Sequence, residues 1–165
     1  MTSHSRFIEV DRLTSRRVEE FHSYWRGKCA DGRLPTRTSI DPVEIPRLLP
    51  YLVIAEIEHE PMRIRYRLVG TRVAEANGSD YTNRYLDECN FAVEPLLNES
   101  YRRLIATRAP VFAYYEWNKR NWTGRRGSVG ASETGFFPLS SDGDTIDFAI
   151  SIADSDVRPY PSETA

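Results

Sequence analysis

This sequence lacks most of the residues that announce a particular chemistry. It has two cysteines in 165 residues, Cys29 and Cys89. They form neither a CxxC pair nor the even, closely spaced set of a disulfide framework, so free thiols in a reducing compartment are expected. It has three histidines, His4, His22 and His59. None has a second histidine three to five positions away, the spacing on which a metal site depends. No apolar run approaches the ~20 residues of a membrane span, and Met1 to Val10 lack the apolar core of a signal peptide. A cytoplasmic protein without membrane contact is therefore expected. The net charge is −2, from 22 basic and 24 acidic residues. That balance leaves no strong field of one sign to attract nucleic acid. Neither a Gly-x-Ser-x-Gly elbow nor a Cys/His pairing of recognisable context is present. The sequence names no catalytic residue, and no enzyme is expected.

What it does have is a share of aromatics, 12% of residues, with 9 Tyr and 3 Trp. The length suits one domain with a real core. The chain is organised around Arg63 to Thr71. There Arg63, Arg65 and Arg67 alternate with Ile64, Tyr66 and Leu68, a period of two that predicts a half-buried strand ended by Gly70. Before it, Leu13, Val18, Phe21, Trp25 and Cys29 make one stripe of a helix over Leu13 to Ala30. Residues 1–12 show no period and read as a flexible arm. Asp41 and Pro42 look like an N-cap and first helical residue, with Glu44 placed for a capping box. Pro46 limits that helix to a short turn. Tyr51 to Glu58 reads as a buried strand, joined to the organising strand through the turn His59-Glu60-Pro61.

After a short helix stopped by Asn77-Gly78, a longer helix is predicted from about Val93 to Arg108. Strands follow over Val111 to Trp117, Ser128 to Leu139 and Thr145 to Ala153, the first two joined by a basic loop from Asn118 to Gly127. The last strand alternates Ile146, Phe148, Ile150 and Ile152 with polar or small residues. From Asp154 a Pro-containing, disordered tail (154–165) is expected. A hairpin, then helices, then a three-stranded meander implies an α+β domain over residues 13–153. Its core would be a five-stranded antiparallel sheet with helices on one face and an extra N-terminal amphipathic helix.

The order of elements resembles the PAS fold, and in detail a bacterial single-domain PAS family. The residues that carry the resemblance are Tyr24-Trp25, Ile40-Asp41-Pro42 through Ile45-Pro46-Arg47-Leu48-Leu49-Pro50, and Arg65-Tyr66-Arg67-Leu68-Val69-Gly70-Thr71. Tyr85-Leu86-Asp87-Glu88, Tyr101-Arg102-Arg103, Ala109-Pro110-Val111 and Phe137-Pro138-Leu139-Ser140-Ser141-Asp142-Gly143 extend it to most of the chain. The resemblance implies a sensory or interaction module in signal transduction and no reaction. It also implies that a ligand, where one is held, sits between the sheet and the helical crossing. Candidate pocket residues by position are Tyr66, Leu68, Tyr81, Phe91, Leu97, Tyr101, Leu104, Tyr115 and Trp117, though close packing of the same rings would leave no room for a ligand.

The cofactor stays unknown. Haem is disfavoured because no histidine falls on the longer helix or the crossing. Flavin photochemistry in the light-sensing branch uses a Cys within Asn-Cys-Arg-Phe-Leu, and Glu88-Cys89-Asn90-Phe91 departs from that motif, so Cys89 reads as a buried, inert thiol. The basic loop, with Trp117 and Trp122 among Lys119, Arg120, Arg125 and Arg126, could stack bases or simply be a solvated hairpin tip. Two readings of the whole follow. One is a sensory module that binds a small apolar or aromatic ligand and acts on a signalling partner in trans. The other is a ligand-free scaffold that homodimerises through the first helix, with Val18, Phe21 and Trp25 at the seam. That helix could equally dock on its own domain.

Overall fold

The computed structural model describes residues 5–91, 94–120 and 126–160, with side chains for all of these except 117–120 and 126–129. Strands β1 (Arg6–Phe7), β2 (Leu52–Glu58), β3 (Arg63–Val69), β4 (Val111–Arg120), β5 (Arg126–Leu139) and β6 (Phe148–Asp154) form the sheet. Helices α1 (Arg16–Lys28), α2 (Thr71–Asn77) and α3 (Pro95–Thr107) flank it. The strand order is β1-β4-β5-β6-β2-β3, and each adjacent pair is antiparallel. The α+β class is as expected, with six strands instead of five. The extra one comes from the supposed arm: Arg6 pairs with Tyr114 and Phe7 with Ala113. Two residues are too few to show a period, and this strand is held from outside, with the Arg103 guanidinium 3.7 Å from the centre of the Phe7 ring.

Alternation along the strands builds two cores, one on each side of the sheet. Val53, Ala55 and Ile57 of β2, Ala113 of β4, Phe136 of β5 and Ala149 of β6 pack with Val73, Tyr101 and Leu104 of α2 and α3. Their strand neighbours Leu52, Phe112, Phe137, Leu139, Ile150 and Ile152 pack with Val18, Phe21 and Trp25 of α1. Burial on both faces explains why β2 reads as a near-continuous apolar run. The expected layering holds, with α2 and α3 sharing one face, and the extra N-terminal helix α1 covers the other. Val18, Phe21 and Trp25, the candidate dimer seam, are 0%, 0% and 6% exposed against their own sheet. Burying each such side chain is worth about 1.5–3 kcal/mol.

Polar groups fix the position of α1. Its N-cap Ser15 accepts from the Val18 N–H at 3.2 Å and donates to Asp154 Oδ2 at 2.5 Å. The fully buried Glu133 accepts from the Ser15 N–H at 2.7 Å and the Thr14 hydroxyl at 2.6 Å. Glu133 and Asp154 face each other across β5 and β6, so the positive end of the helix lies over two carboxylates. At the other end, the Trp25 indole N–H donates to the Pro138 carbonyl at 3.0 Å. Asp41 caps its short turn as expected, accepting from the Val43 N–H at 2.9 Å. Glu44 forms no capping box there. It accepts from the Tyr24 hydroxyl at 2.5 Å and pairs with Lys28 at 2.7 Å, which ties this turn to α1.

Between the faces, α2 ends where Gly78 takes φ 79°, a left-handed conformation that glycine adopts without strain. Helix α3 starts at Pro95 after Glu94, whose carboxylate accepts from the Leu96 N–H at 3.3 Å. The β4 and β5 strands run to Arg120 and resume at Arg126, so the basic loop is shorter than expected. Residues 121–125, Trp122 among them, lie outside the described residues. Of the tail expected to be disordered, residues 154–160 pack on the domain, and 161–165 lie outside the described residues. Asp154 closes β6, and Tyr160 stacks on Tyr114 with ring centres 4.1 Å apart and planes 6° from parallel. The Tyr160 hydroxyl donates to Glu133 at 2.6 Å. Proline content signals disorder, while the contact that orders this segment lies 46 positions away in the chain.

Candidate functional site

A cavity of about 400 Å³ lies between the sheet and the α2–α3 crossing. It exists because long and short side chains are unevenly distributed there. On the floor, Ser132 and Thr134 of β5 and Ser151 and Ala153 of β6 are short, and they leave space under the helices. On the walls the rings brace one another edge to face. Tyr66 and Tyr81 have centres 4.6 Å apart at 75°, and Tyr81 and Phe91 are 4.8 Å apart at 67°. Such pairs are attractive in this geometry, so the rings hold their places around the space without collapsing into it. Tyr101 meets Phe136 at 5.4 Å in the same manner.

The polar character is that of neutral hydroxyls. Burial raises the phenols of Tyr66, Tyr81, Tyr101 and Tyr115 above their ordinary value, and the neighbouring Tyr101 hydroxyl adds to the rise at Tyr66. All four therefore stay protonated near neutral pH. The Tyr115 hydroxyl is buried with no hydrogen-bond partner among the described residues. Its neighbour Ser100 donates instead to the Leu96 carbonyl at 2.7 Å. A buried hydroxyl left unpaired costs about 1–3 kcal/mol, and this one lines a cavity able to admit a partner. Glu94 also lines the space, and its charge adds to the rise that burial causes at Tyr115, while the neighbouring Ser100 acts in the opposite direction.

Of the nine pocket residues expected from the sequence, Tyr66, Tyr81, Phe91, Leu97, Tyr101 and Tyr115 line the cavity. Leu104 does not reach it; the residue is fully buried in the core cluster beside the cavity. Leu68 is also off the wall and 42% exposed. The register explains why. Ile54 pairs with Leu68 but Ala55 pairs with Tyr66, so Arg67 is an extra residue in β3. That bulge reverses the alternation, turning Leu68 outward and Val69 into the core. Trp117 lies on β4 opposite Gly130, and its side chain is outside the described residues. The floor residues Ser132, Thr134 and Ser151 escape the sequence reading. The signal that could have found them is a set of short polar residues at alternate positions in strands that are otherwise buried.

No described histidine, cysteine or methionine lines the cavity. His22 packs against Phe112 in the core of the opposite face, with ring centres 5.3 Å apart. His59 bonds the Ile146 carbonyl at 2.8 Å. Cys89 is buried off the cavity wall, with its thiol bonded to the Tyr85 carbonyl at 3.3 Å. Burial raises that thiol, which disfavours the reactive thiolate. Among the described residues no group of three or more His, Cys, Asp or Glu is arranged to hold a metal ion. None of the described helices is long and apolar enough to cross a membrane.

An antiparallel sheet with a helical crossing folded over a ligand-sized, ring-walled cavity defines a small α+β domain with a candidate ligand pocket. The chain belongs to the PAS domain family, whose model matches residues 13–129. A similar solved structure is that of an RNA-binding light-oxygen-voltage receptor, with a TM-score of 0.52 and 12% identity. The match covers 93% of this chain and 39% of the receptor, so this chain spans well under half of that protein's length. At this identity the likeness shows the fold alone. No curated protein matches the chain.

Proposed function

We propose that this PAS domain is a sensory module that takes one small aromatic molecule into the cavity and reports its presence to a protein partner. The observation that carries the reading is the unpaired Tyr115 hydroxyl on the wall of a space of about 400 Å³. That volume falls within the range of sites for small ligands, about 300–1,000 Å³. The reading assigns no reaction to the chain. It places the module in the cytoplasm, in keeping with free thiols, and routes its output through another protein.

The alternative of a ligand-free scaffold dimerising through α1 has weaker support, because Val18, Phe21 and Trp25 are used within the domain. A homodimer calls for a different surface. RNA binding belongs to the light-oxygen-voltage receptor as its description states, and the balanced charge here gives no reason to carry it over. The test is native mass spectrometry of the chain purified from its own cells, followed by soaking with small aromatic compounds. The expected result is an added mass that denaturation releases. Substituting Leu97→Trp, which fills the cavity, should abolish it, while Leu68→Ser should leave it intact. A bare mass with no uptake from any soak would overturn the reading.

A further inference from the structure

We infer that the cavity selects aromatic ligands that carry a protonated amine and rejects carboxylates of the same shape. The inference rests on the ligand-binding reading above and adds the chemical class. One polar corner of the cavity supplies the argument. Among the described residues no lysine, arginine or histidine lines the space, so an anionic ligand finds no counter-charge there. Residues 92 and 93, which precede Glu94 in the chain, are alanine and valine and carry no charge. An unpaired charge moved from water into such a site is costly.

A carboxylate, by contrast, is at hand. Glu94 lines the cavity where α3 begins. Its capping bond to the Leu96 N–H is long, 3.3 Å, and uses Oε1. The Tyr115 hydroxyl, which also lines the cavity and lies within reach of the Glu94 charge, is buried without a partner among the described residues. A phenol oxygen and a carboxylate together make an acceptor pair for an ammonium group, which has three donors and no acceptor. The rings of Tyr66, Tyr81 and Phe91 add faces to which a cation is attracted. The other carboxylate of the lining, Glu116, already accepts from the Tyr114 hydroxyl at 2.7 Å, and strand alternation groups it with Tyr114 on the opposite face. Glu94 is therefore the discriminating group. Charge pairing of this sort strengthens with burial, and Glu94 is half-buried.

The test uses the full chain, isothermal titration at pH 7, and three probes sharing one ring system: tryptamine, neutral indole, and indole-3-acetate. Tryptamine is expected to bind at least about tenfold more tightly than indole-3-acetate, the difference that about 1.4 kcal/mol gives. Glu94→Gln, which keeps a capping carbonyl, should erase that preference, while Leu68→Ser, off the cavity wall, should leave it intact. Tyr115→Phe should weaken tryptamine severalfold more than indole. Indole bound with no preference for amine over acid, or a preference that survives Glu94→Gln, overturns the inference and leaves the cavity a neutral site. Failure of all three probes, together with a bare mass for the protein from its own cells, overturns the ligand-binding reading itself.

Discussion

Phe21→Ala is the substitution that most directly tests how α1 is used. Phe21 is 0% exposed, and its ring meets Phe137 of β5 edge to face, with centres 4.9 Å apart at 65°. Truncation removes the buried ring, the edge contact and the packing around them at once. Losses of this type run to about 3–5 kcal/mol, of which the aromatic pair accounts for about 0.5–1.5 kcal/mol. Against a total stability of about 5–15 kcal/mol, that is a large fraction. In a domain of this size it corresponds to a fall in melting temperature of about 2–4 °C per kcal/mol. Urea titration followed by tryptophan fluorescence should show a lower midpoint with an unchanged slope, since the surface exposed on unfolding is nearly the same. The midpoint should not depend on protein concentration, and sedimentation should match the unsubstituted chain. A loss below about 1 kcal/mol would refute the reasoning. So would a midpoint that rises with concentration, the mark of a helix face completed by a second copy.

Three further perturbations probe separate parts of the structure. Glu133→Ala removes the buried acceptor of the Thr14 hydroxyl, the Ser15 N–H and the Tyr160 hydroxyl, and should cost about 3–5 kcal/mol in thermal or urea unfolding because several donors are orphaned together. Gly135→Ala sets a new methyl 2.8 Å from both Val18 Cγ1 and the Phe137 ring; destabilisation of about 1–3 kcal/mol is expected, and a neutral or stabilised variant would show that α1 yields easily. Asp142 holds the turn before β6, accepting from the Thr145 and Asp144 N–H groups at 2.7 and 2.8 Å. Those bonds lower its carboxyl from 3.8 to about 2. A depressed folded value gives stability that is present above the unfolded value and lost as pH falls through the folded one. The stability gap between the chain and Asp142→Ala should therefore narrow as pH drops from 3.8 toward about 2, and a gap that stays constant over that window would refute the assignment.

The period of two makes the strands legible in the sequence, and with them the residues that share a face. Val53, Ala55 and Ile57 line up as alternation requires, as do Phe137 and Leu139. Leu68 shows where alternation stops being a guide. One extra residue, Arg67, shifts the register and reverses the faces beyond it, and a bulge depends on a partner strand that local pattern does not reveal. The two-residue β1 and the stacking of Tyr160 on Tyr114 are hidden for the same reason: both are long-range pairings with no periodicity of their own.

The sequence by itself determined the class of the domain, the identity of five of the six described strands and of the helices, and the presence of many rings between the second hairpin strand and the longer helix. An amphipathic stripe states only that an apolar face needs cover, so Val18, Phe21 and Trp25 were compatible with a copy or with their own sheet. Tertiary structure decided for the sheet, through Phe137 and the Glu133 and Asp154 carboxylates beneath the helix start. It also decided that the rings stand apart over Ser132, Thr134 and Ser151 and leave a cavity. Composition fixes how much side-chain volume a region holds. Whether that volume closes on itself depends on which residues face one another, and that is settled only when the strands pair.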